Sequence, residues 1–498
     1  MSLWLSQHKT VICVFLLLTA VIFYCWGVNN ILPLQEDSAI YIIFAQSLSK
    51  GQGYLYTAGP QDVKGNYYPF FYPSLLSPWV YFFPHNYLVL KLITVFFAII
   101  LIMLLLQAAP FFFDKELSLL VVILAALSPQ MVLYAQHILS EIPYTLFSLL
   151  AVYSLCRYRE SKSSLNGHFL LFVLSAGTAY YTRMIGVSLF IAAIVFFGLF
   201  KRDMKRALIF VIVFIMLFAP WIIRNMLFGH SAYTAEFVYA TSGILAFLNR
   251  WIYNLLATIS VEFPDLFFYP FFVMVDAASQ GFIFKAGIGC GIAVCMIAGF
   301  WRHFKKQGIQ PGDVYVLVYF FVLYLSWTHH GARYLVPIIP FLLYYFLRGI
   351  QGVMRGKKLT ALVIAFLLVT NVSGNIVERL RLGASFLTPA EKAFVSSADW
   401  IKKHGTQNCL VMSRRPNWLY MYTDGLRGIK FMLTTDTRAQ YEYITSSNVD
   451  YFIIDQNKIY RDSACDYLLP LVFDYPDRFK RVFVSPENPK AYVYQVVR

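Results

Sequence analysis

The chain predicts a polytopic α-helical membrane protein with about eleven transmembrane helices and a C-terminal soluble α/β domain on the outer face. Composition carries the first half of that reading: 59% of the 498 residues are hydrophobic and 13% are charged, with a mean hydropathy of +0.59. Apolar runs long enough to cross a bilayer recur as far as residue 373. The second half rests on a change of pattern after residue 387, where short β-branched and aromatic runs alternate with amphipathic stretches.

Spans are expected near residues 10–28, 87–106, 117–134, 142–158, 168–181, 184–200, 207–223, 282–301, 314–328, 334–347 and 359–373. The first has the basic flank of a signal peptide in Lys9. It ends in YCWGVNN, which offers no small-x-small cleavage site, and so reads as a retained anchor. Residues 1–373 thus form a transmembrane domain with two long outer loops. Loop 29–86 opens with a short amphipathic helix to about Ser49, followed by a Gly/Tyr/Pro-rich stretch that suits a flexible substrate-facing lid better than a packed element. Loop 224–281 is aromatic and moderately polar, and reads as helices lying in the interface, where Trp and Tyr settle.

A linker, 374–387, leads to the α/β domain at 388–498. Thr388, Pro389 and Glu391 spell a capping box with proline at the first helical position, and the helix runs to about His404. CLVMS, IKFML, YFIID, RVFVS and AYVYQVV read as strands, with TRAQYEYITSS and ACDYLLPLVF as helices between them. No phosphate-binding Gly loop, metal-spaced Cys/His set or internal repeat occurs there, which argues against nucleotide binding.

Short cytoplasmic loops collect Lys and Arg, and this sets the orientation. With the N-terminus cytoplasmic, one side takes Arg157, Arg159 and Lys162, then Lys201, Arg202, Lys205 and Arg206, then Arg302, Lys305 and Lys306, then Arg348, Arg355, Lys357 and Lys358. An odd number of spans puts the C-terminal domain outside, in the periplasm of a bacterial inner membrane or its equivalent. The net charge of +15 is therefore largely topological; some of it suits anionic membrane lipids, and nothing points to nucleic acid. Cys13, Cys25, Cys290 and Cys295 within spans, and Cys156 at the inner end of one, are apolar fillers. Cys409 and Cys465 share the outer domain, where oxidation permits a disulfide that spacing alone cannot establish.

The same topology gathers the unusual polar residues on the outer face. Glu36 and Asp37 follow the first span, His137 and Glu141 precede the fourth, and Arg183 sits at the turn between the fifth and sixth; Arg224 follows the seventh and Arg333 precedes the tenth. A random scatter would divide them between the two faces, so their gathering argues for one shared site. An ionisable pair beside hydrocarbon is costly unless it faces water, a partner or a substrate, which marks Glu36 and Asp37 as functional. The alternative is a solvated helix start that complements the helix dipole.

Carboxylates with arginines suit transfer from a lipid-linked phosphate, because arginines hold the anion while a carboxylate takes the proton of an attacking hydroxyl. Asp37 has the chemistry of that base. For Arg183, Arg224 and Arg333 the alternative is headgroup anchoring. His137 and Glu141, four residues apart on one helical face, form either half of a divalent-metal site or a buried hydrogen-bonded pair. His329 and His330 are a weaker signal, fit for lining a pocket mouth.

At this point the chain resembles the GT-C glycosyltransferases that use polyprenyl-phosphate sugars, which include protein O-mannosyltransferases and the aminoarabinose transferase of lipid A. The resemblance is carried by Asp37 to Tyr41 (DSAIY), Ala45, Gly51, Gly53 and Tyr54, then Tyr68-Pro69 through Tyr72-Pro73, Ser140-Glu141 and Thr182-Arg183. Pro220-Trp221 with Arg224-Asn225, and Arg333-Tyr334 with Pro337 and Pro340, extend it along nearly the whole chain. It implies an inverting hexosyl- or pentosyltransferase with Asp37 as catalytic base and Glu141 orienting the acceptor or helping to hold a divalent ion. Glu36, Tyr41, Tyr68, Tyr72, Arg183, Arg224, Arg333 and Tyr334 would bind substrate. The donor would be an undecaprenyl- or dolichyl-phosphate sugar, and the acceptor a lipid, glycan or protein. Glu36 precedes Asp37 where the family more often has Asp followed by Glu, and the Glu-Lys-Pro element of the lipid A enzymes is missing from the first loop. Two rivals come from other classes: a polyprenyl-lipid flippase, and a non-catalytic scaffold of envelope assembly. Alternating access favours paired repeats and midplane charges, and neither is seen in the sequence.

Overall fold

The structure, a computed structural model, describes residues 9–32, 36–66, 68–228, 243–268, 279–326, 331–353, 357–382, 387–406, 408–456 and 463–497. His329, His330 and Arg355 lie outside them. The chain forms two compact units: Met1–Val28, Asn66–Tyr72 and Leu88–Arg381 in one, and Asn29–Gly65, Pro73–Tyr87 and Leu382–Arg498 in the other.

The first unit is helical. Among the described residues six helices are long and apolar enough to cross a membrane: Tyr87–Phe112, Met204–Leu227, Ile244–Phe267, Phe282–Gln307, Ala332–Val353 and Lys358–Leu380. Lys115–Ala126 and Pro129–Ala135 make a seventh if the two, bent by 51°, are one span. The bend falls at Ser128-Pro129, because proline fits the first turn of a new helix but cannot donate to the previous one. The remaining expected spans are shorter or more polar helices: Thr10–Cys25, Glu141–Tyr158, Gly167–Thr182, Met184–Phe200 and Pro311–Leu325. Among the described residues six helices, or seven with the bent pair, thus reach span length, against about eleven spans expected.

Ile244–Phe267 falls in the loop read as interfacial, yet it is a single helical run with a π-helical turn at Thr258–Glu262. Its polar residues Arg250, Asn254, Thr258 and Glu262 recur every fourth position, and all are buried. They face helical neighbours rather than water or headgroups. The stripe lowers the mean hydropathy of the segment and so imitates an interfacial helix.

Small residues let these helices approach closely. A Cβ on Gly289 would lie 1.7 Å from the Ile259 carbonyl oxygen, one on Gly299 1.8 Å from that of Tyr345, and one on Gly349 1.8 Å from that of Cys295. Charge is used sparingly. Buried Asp114 accepts hydrogen bonds from Lys306 at 2.9 Å, Gln307 at 2.8 Å and Tyr344 at 3.1 Å and pairs with Arg348 at 3.3 Å, pinning the corner after Tyr87–Phe112. Asn166 and Asp203 cap the helices that follow them by accepting from the backbone N–H of Phe169 and Arg206.

The second unit is built on a five-stranded sheet. A small antiparallel pair, β1 (Leu55–Tyr56) and β2 (Val63–Lys64), precedes it in the chain. The sheet strands are β3 (Val411–Met412), β4 (Gly428–Ile429), β5 (Tyr451–Ile454), β6 (Phe479–Val484) and β7 (Tyr492–Val496), in the order β4-β3-β5-β7-β6. The first three are parallel, and β7 runs antiparallel to both β5 and β6. The helix Pro389–His404 begins with the expected capping box: Glu391 accepts from the Thr388 N–H at 2.7 Å, and Thr388 accepts from the Glu391 N–H at 3.3 Å. Helices Thr437–Ser446 and Ala464–Asp474 occur where expected, whereas Pro416–Tyr422 was not anticipated. Met412, Phe452, Ile454 and Leu468 lie in the core. Cys409 and Cys465 are free thiols.

The first loop differs from the flexible lid expected of it. Residues 54–65 pack within this second unit: Gly428 N–H donates to the Ala58 carbonyl at 2.9 Å, and Thr57 donates to Tyr420 OH at 3.0 Å. Tyr56 bonds Asn417, and Arg427 pairs with Asp62 at 2.7 Å while donating to the Gly59 and Pro60 carbonyls. Backbone carbonyls of a Gly/Pro-rich turn have no partners within the turn, and Arg427 supplies them.

Candidate active site

In the helical unit three of the expected residues meet. Glu141 opens the helix Glu141–Tyr158 and is 1% exposed. Arg183, in the extended break after Gly167–Thr182, places Nη1 2.6 Å from Glu141 Oε1. Arg333, at the start of the 3₁₀ turn Ala332–Ile338, places Nε 3.0 Å from the same oxygen. Two guanidinium groups therefore share one buried carboxylate, and the cluster keeps a net positive charge. A buried carboxylate is tolerable only when paired, and two partners more than compensate it.

Tyr334 completes the arrangement. Its ring lies 5.2 Å from the Arg183 guanidinium carbon and 5.1 Å from that of Arg333. Ser140, part of the resemblance above, and Tyr319, which the sequence did not flag, fix these groups: Ser140 Oγ accepts from Arg183 Nη1 at 3.2 Å, and Tyr319 OH donates to the Tyr334 carbonyl at 2.6 Å. Tyr319 was hidden because an aromatic in an apolar helix looks like core packing.

Arg224 stands over Trp221 at 4.8 Å and Phe228 at 5.5 Å and donates to Asn225 at 3.1 Å. Trp221 in turn meets Phe70 and Tyr181, so Arg224 belongs to an aromatic box. Tyr68 is buried, and Tyr72 is fully buried with its hydroxyl 3.2 Å from Thr94.

His137 Nδ1 is 2.6 Å from the Leu133 carbonyl, and burial pushes its pKa down to about 4 despite that carbonyl, which favours the protonated ring. Glu141 is committed to two arginines, whose charge repels a cation. No group of three or more His, Cys, Asp or Glu among the described residues could hold a metal ion. The donor set therefore does not fit a divalent ion.

In the second unit Glu36 and Asp37 open the helix Glu36–Ser49, on whose buried face Tyr41 packs with 2% exposure. Glu36 pairs with Lys430 at 2.7 Å and accepts from Asn417 at 3.4 Å, which ties the helix start to residues beside the sheet.

The fold is that of a helical unit with six or seven helices of membrane-crossing length among the described residues, followed in the chain by an α/β unit. Residues 68–223 match the family model of dolichyl-phosphate-mannose-protein mannosyltransferase, a stretch that holds Glu141 and Arg183. The whole chain superposes on ArnT from Cupriavidus metallidurans bound to undecaprenyl phosphate, with a TM-score of 0.59 and 13% identity over 98% of each chain. The oligosaccharyltransferase AglB from Archaeoglobus fulgidus, in complex with an inhibitory peptide and a dolichol-phosphate, aligns with a TM-score of 0.59 and 12% identity over 90% of this chain and 70% of its own. No curated protein sequence matches. The GT-C resemblance read from the sequence motifs thus holds at the level of the fold.

Proposed function

We propose that this protein is an integral membrane glycosyltransferase that moves one sugar from a polyprenyl-phosphate carrier to an acceptor hydroxyl on the outer face of a bacterial inner membrane. The observation that carries the reading is the pairing of Arg183 and Arg333 on Glu141, which presents two oriented guanidinium groups with a net positive charge. Such a fork suits the phosphate that a sugar leaves behind. The match of residues 68–223 and the undecaprenyl phosphate bound by the ArnT structure support it.

In this reading the acceptor oxygen attacks the anomeric carbon as the bond from that carbon to the phosphate oxygen breaks. The electron pair leaves with polyprenyl phosphate, Asp37 takes the acceptor proton, and the anomeric centre inverts. Arg183 and Arg333 stabilise the charge growing on the leaving phosphate, and Glu141 acts by holding both rather than by proton transfer. An apolar cavity of about 440 Å³, lined by Trp251, Leu255, Ile259, Phe300, Phe320 and Phe321, would take part of the prenyl chain. The test is a labelled prenyl-phosphate sugar supplied to the protein in lipid. Transfer with release of prenyl phosphate is expected, and Asp37→Asn should lower it by about 10²–10⁴-fold while leaving insertion intact. Translocation without transfer would favour a flippase, and near-normal turnover in D37N would remove Asp37 as the base.

A further inference from the structure

The short helix Pro416–Tyr422 divides its side chains between two tasks. Trp418, Leu419 and Met421 are buried and seat the helix in the α/β core, where the Phe394 ring meets Trp418 edge-on at 6.0 Å. Asn417, Tyr420 and Tyr422 reach instead to the first loop, on both sides of the helix that bears Asp37. Before that helix, Tyr422 OH donates to the Leu32 carbonyl at 2.9 Å. At its first residue Asn417 Nδ2 donates to Glu36 at 3.4 Å. Beyond its end Asn417 Oδ1 accepts from Tyr56, and the Thr57 hydroxyl donates to Tyr420 OH at 3.0 Å.

Asn417 is the hub. Its side chain is buried, and a primary amide offers a donor and an acceptor in one plane without charge, which matches a carboxylate on one side and a phenol on the other. Lys430, which follows β4, adds a charge by pairing with Glu36 at 2.7 Å. Both partners are partly exposed, so the pair adds little to stability; its effect is to neutralise a carboxylate one residue from Asp37. The other cation of the α/β unit that Glu36 influences is Arg415, whose charge it favours.

We propose that Asn417, Tyr420 and Tyr422, with Lys430, are positioning residues: the helix Pro416–Tyr422 clamps the Asp37 helix from both ends, and Lys430 keeps the charge beside Asp37 neutral. The α/β unit is then a working part of the transferase and not an appended docking module. The proposal rests on the transferase reading above, with Asp37 as its base.

The test combines transfer kinetics in lipid, with a labelled prenyl-phosphate sugar, and amide hydrogen exchange over residues 36–41 of the full-length protein. Wild type is compared with Asn417→Asp, Lys430→Met and Lys430→Arg. Asn417→Asp keeps an acceptor for Tyr56 but sets a second carboxylate against Glu36. It should lower kcat by about tenfold to 10²-fold at unchanged donor KM and speed exchange over 36–41. Lys430→Met leaves Glu36 uncompensated, and the added negative field raises the pH at which Asp37 ionises. The acidic limb of kcat/KM should therefore move to higher pH in K430M and return in K430R, whereas a clamp that served folding alone would leave the limb in place. Wild-type kcat in N417D, a rise in donor KM in place of the fall in kcat, or the same acidic limb in wild type and K430M overturns the proposal. The two Lys430 variants, at an exposed residue, decide it if N417D fails to fold. Absent transfer by the wild type would instead sink the transferase reading, and unchanged exchange over 36–41 in N417D would overturn the clamp by itself.

Discussion

Glu141 shows how a residue can be found from sequence while its partners stay hidden. Its carboxyl was visible as a costly group beside hydrocarbon, and Arg183 and Arg333 were visible as basic residues at span ends away from the strongly basic short loops. What sequence could not supply was that both reach the same oxygen. In the proposed reading that contact makes Glu141 the anchor of both arginines. The consequence is testable with Glu141→Gln, which keeps the shape but leaves two guanidinium groups side by side without their shared counter-charge. Breaking a buried pair from one side costs roughly 3–5 kcal/mol. E141Q should therefore lower the thermal midpoint and raise the donor KM more than it lowers kcat, whereas a proton-transfer role would lower kcat at unchanged KM. Arg333→Lys gives the companion result. Lysine keeps the charge but cannot hold Glu141 and a phosphate with one planar fork, so weaker donor binding is expected with normal expression. Wild-type kinetics at limiting donor would remove Arg333 from the site.

Helix boundaries were legible wherever an apolar run had polar punctuation, as at the Thr388 capping box and the Ser128-Pro129 restart. Ile244–Phe267 was read as interfacial because one face carries Arg250, Asn254, Thr258 and Glu262, which are buried here but form a stripe indistinguishable in sequence from a water-facing one. Close packing was equally silent, since a glycine in a span says nothing about which backbone it meets. Gly299→Ala and Gly349→Ala each force a methyl into a carbonyl of the opposing helix and should destabilise by about 1–3 kcal/mol, read by unfolding in detergent. An equivalent change at Gly291, where nothing lies within 4 Å, should cost little. His137 supplies a pH signature. Because its folded-state pKa of about 4 lies below its usual 6.5, the unfolded chain binds more protons between those values. Its contribution is complete above pH 6.5 and is lost as pH falls toward 4, worth at most about 3 kcal/mol. His137→Gln should flatten the stability profile across that window. An unchanged slope would mean that other groups govern it.

At the scale of the whole molecule, the basic residues remain the argument for orientation, because counting spans no longer serves: Ile244–Phe267 adds a span-length helix that the count omitted. Its direction follows from its contacts. Asp265 pairs with Lys285 at 2.8 Å, and Gly289 meets the Ile259 carbonyl, so numbers fall along one helix as they rise along the other. Ile244–Phe267 and Phe282–Gln307 are therefore antiparallel neighbours, and Gly243 lies toward the end that carries Arg302, Lys305 and Lys306. If those basic residues are cytoplasmic, as the retention of Lys and Arg on that side requires, Gly243 is cytoplasmic as well. In a cysteine-free background a thiol at Gly243, where added atoms meet nothing within 4 Å, should react only with reagents admitted to the inner side, together with one at exposed Lys358. Thiols at exposed Gln61 and Asn488, both in the second unit, should react from outside. Gly65 is unsuitable as the outer probe, since a Cβ there would lie 2.5 Å from Phe44. Outer labelling of Gly243 would mean that the polar stripe of Ile244–Phe267 does not cross the membrane beside Phe282–Gln307, and the prenyl-chain cavity between those helices would lose its wall.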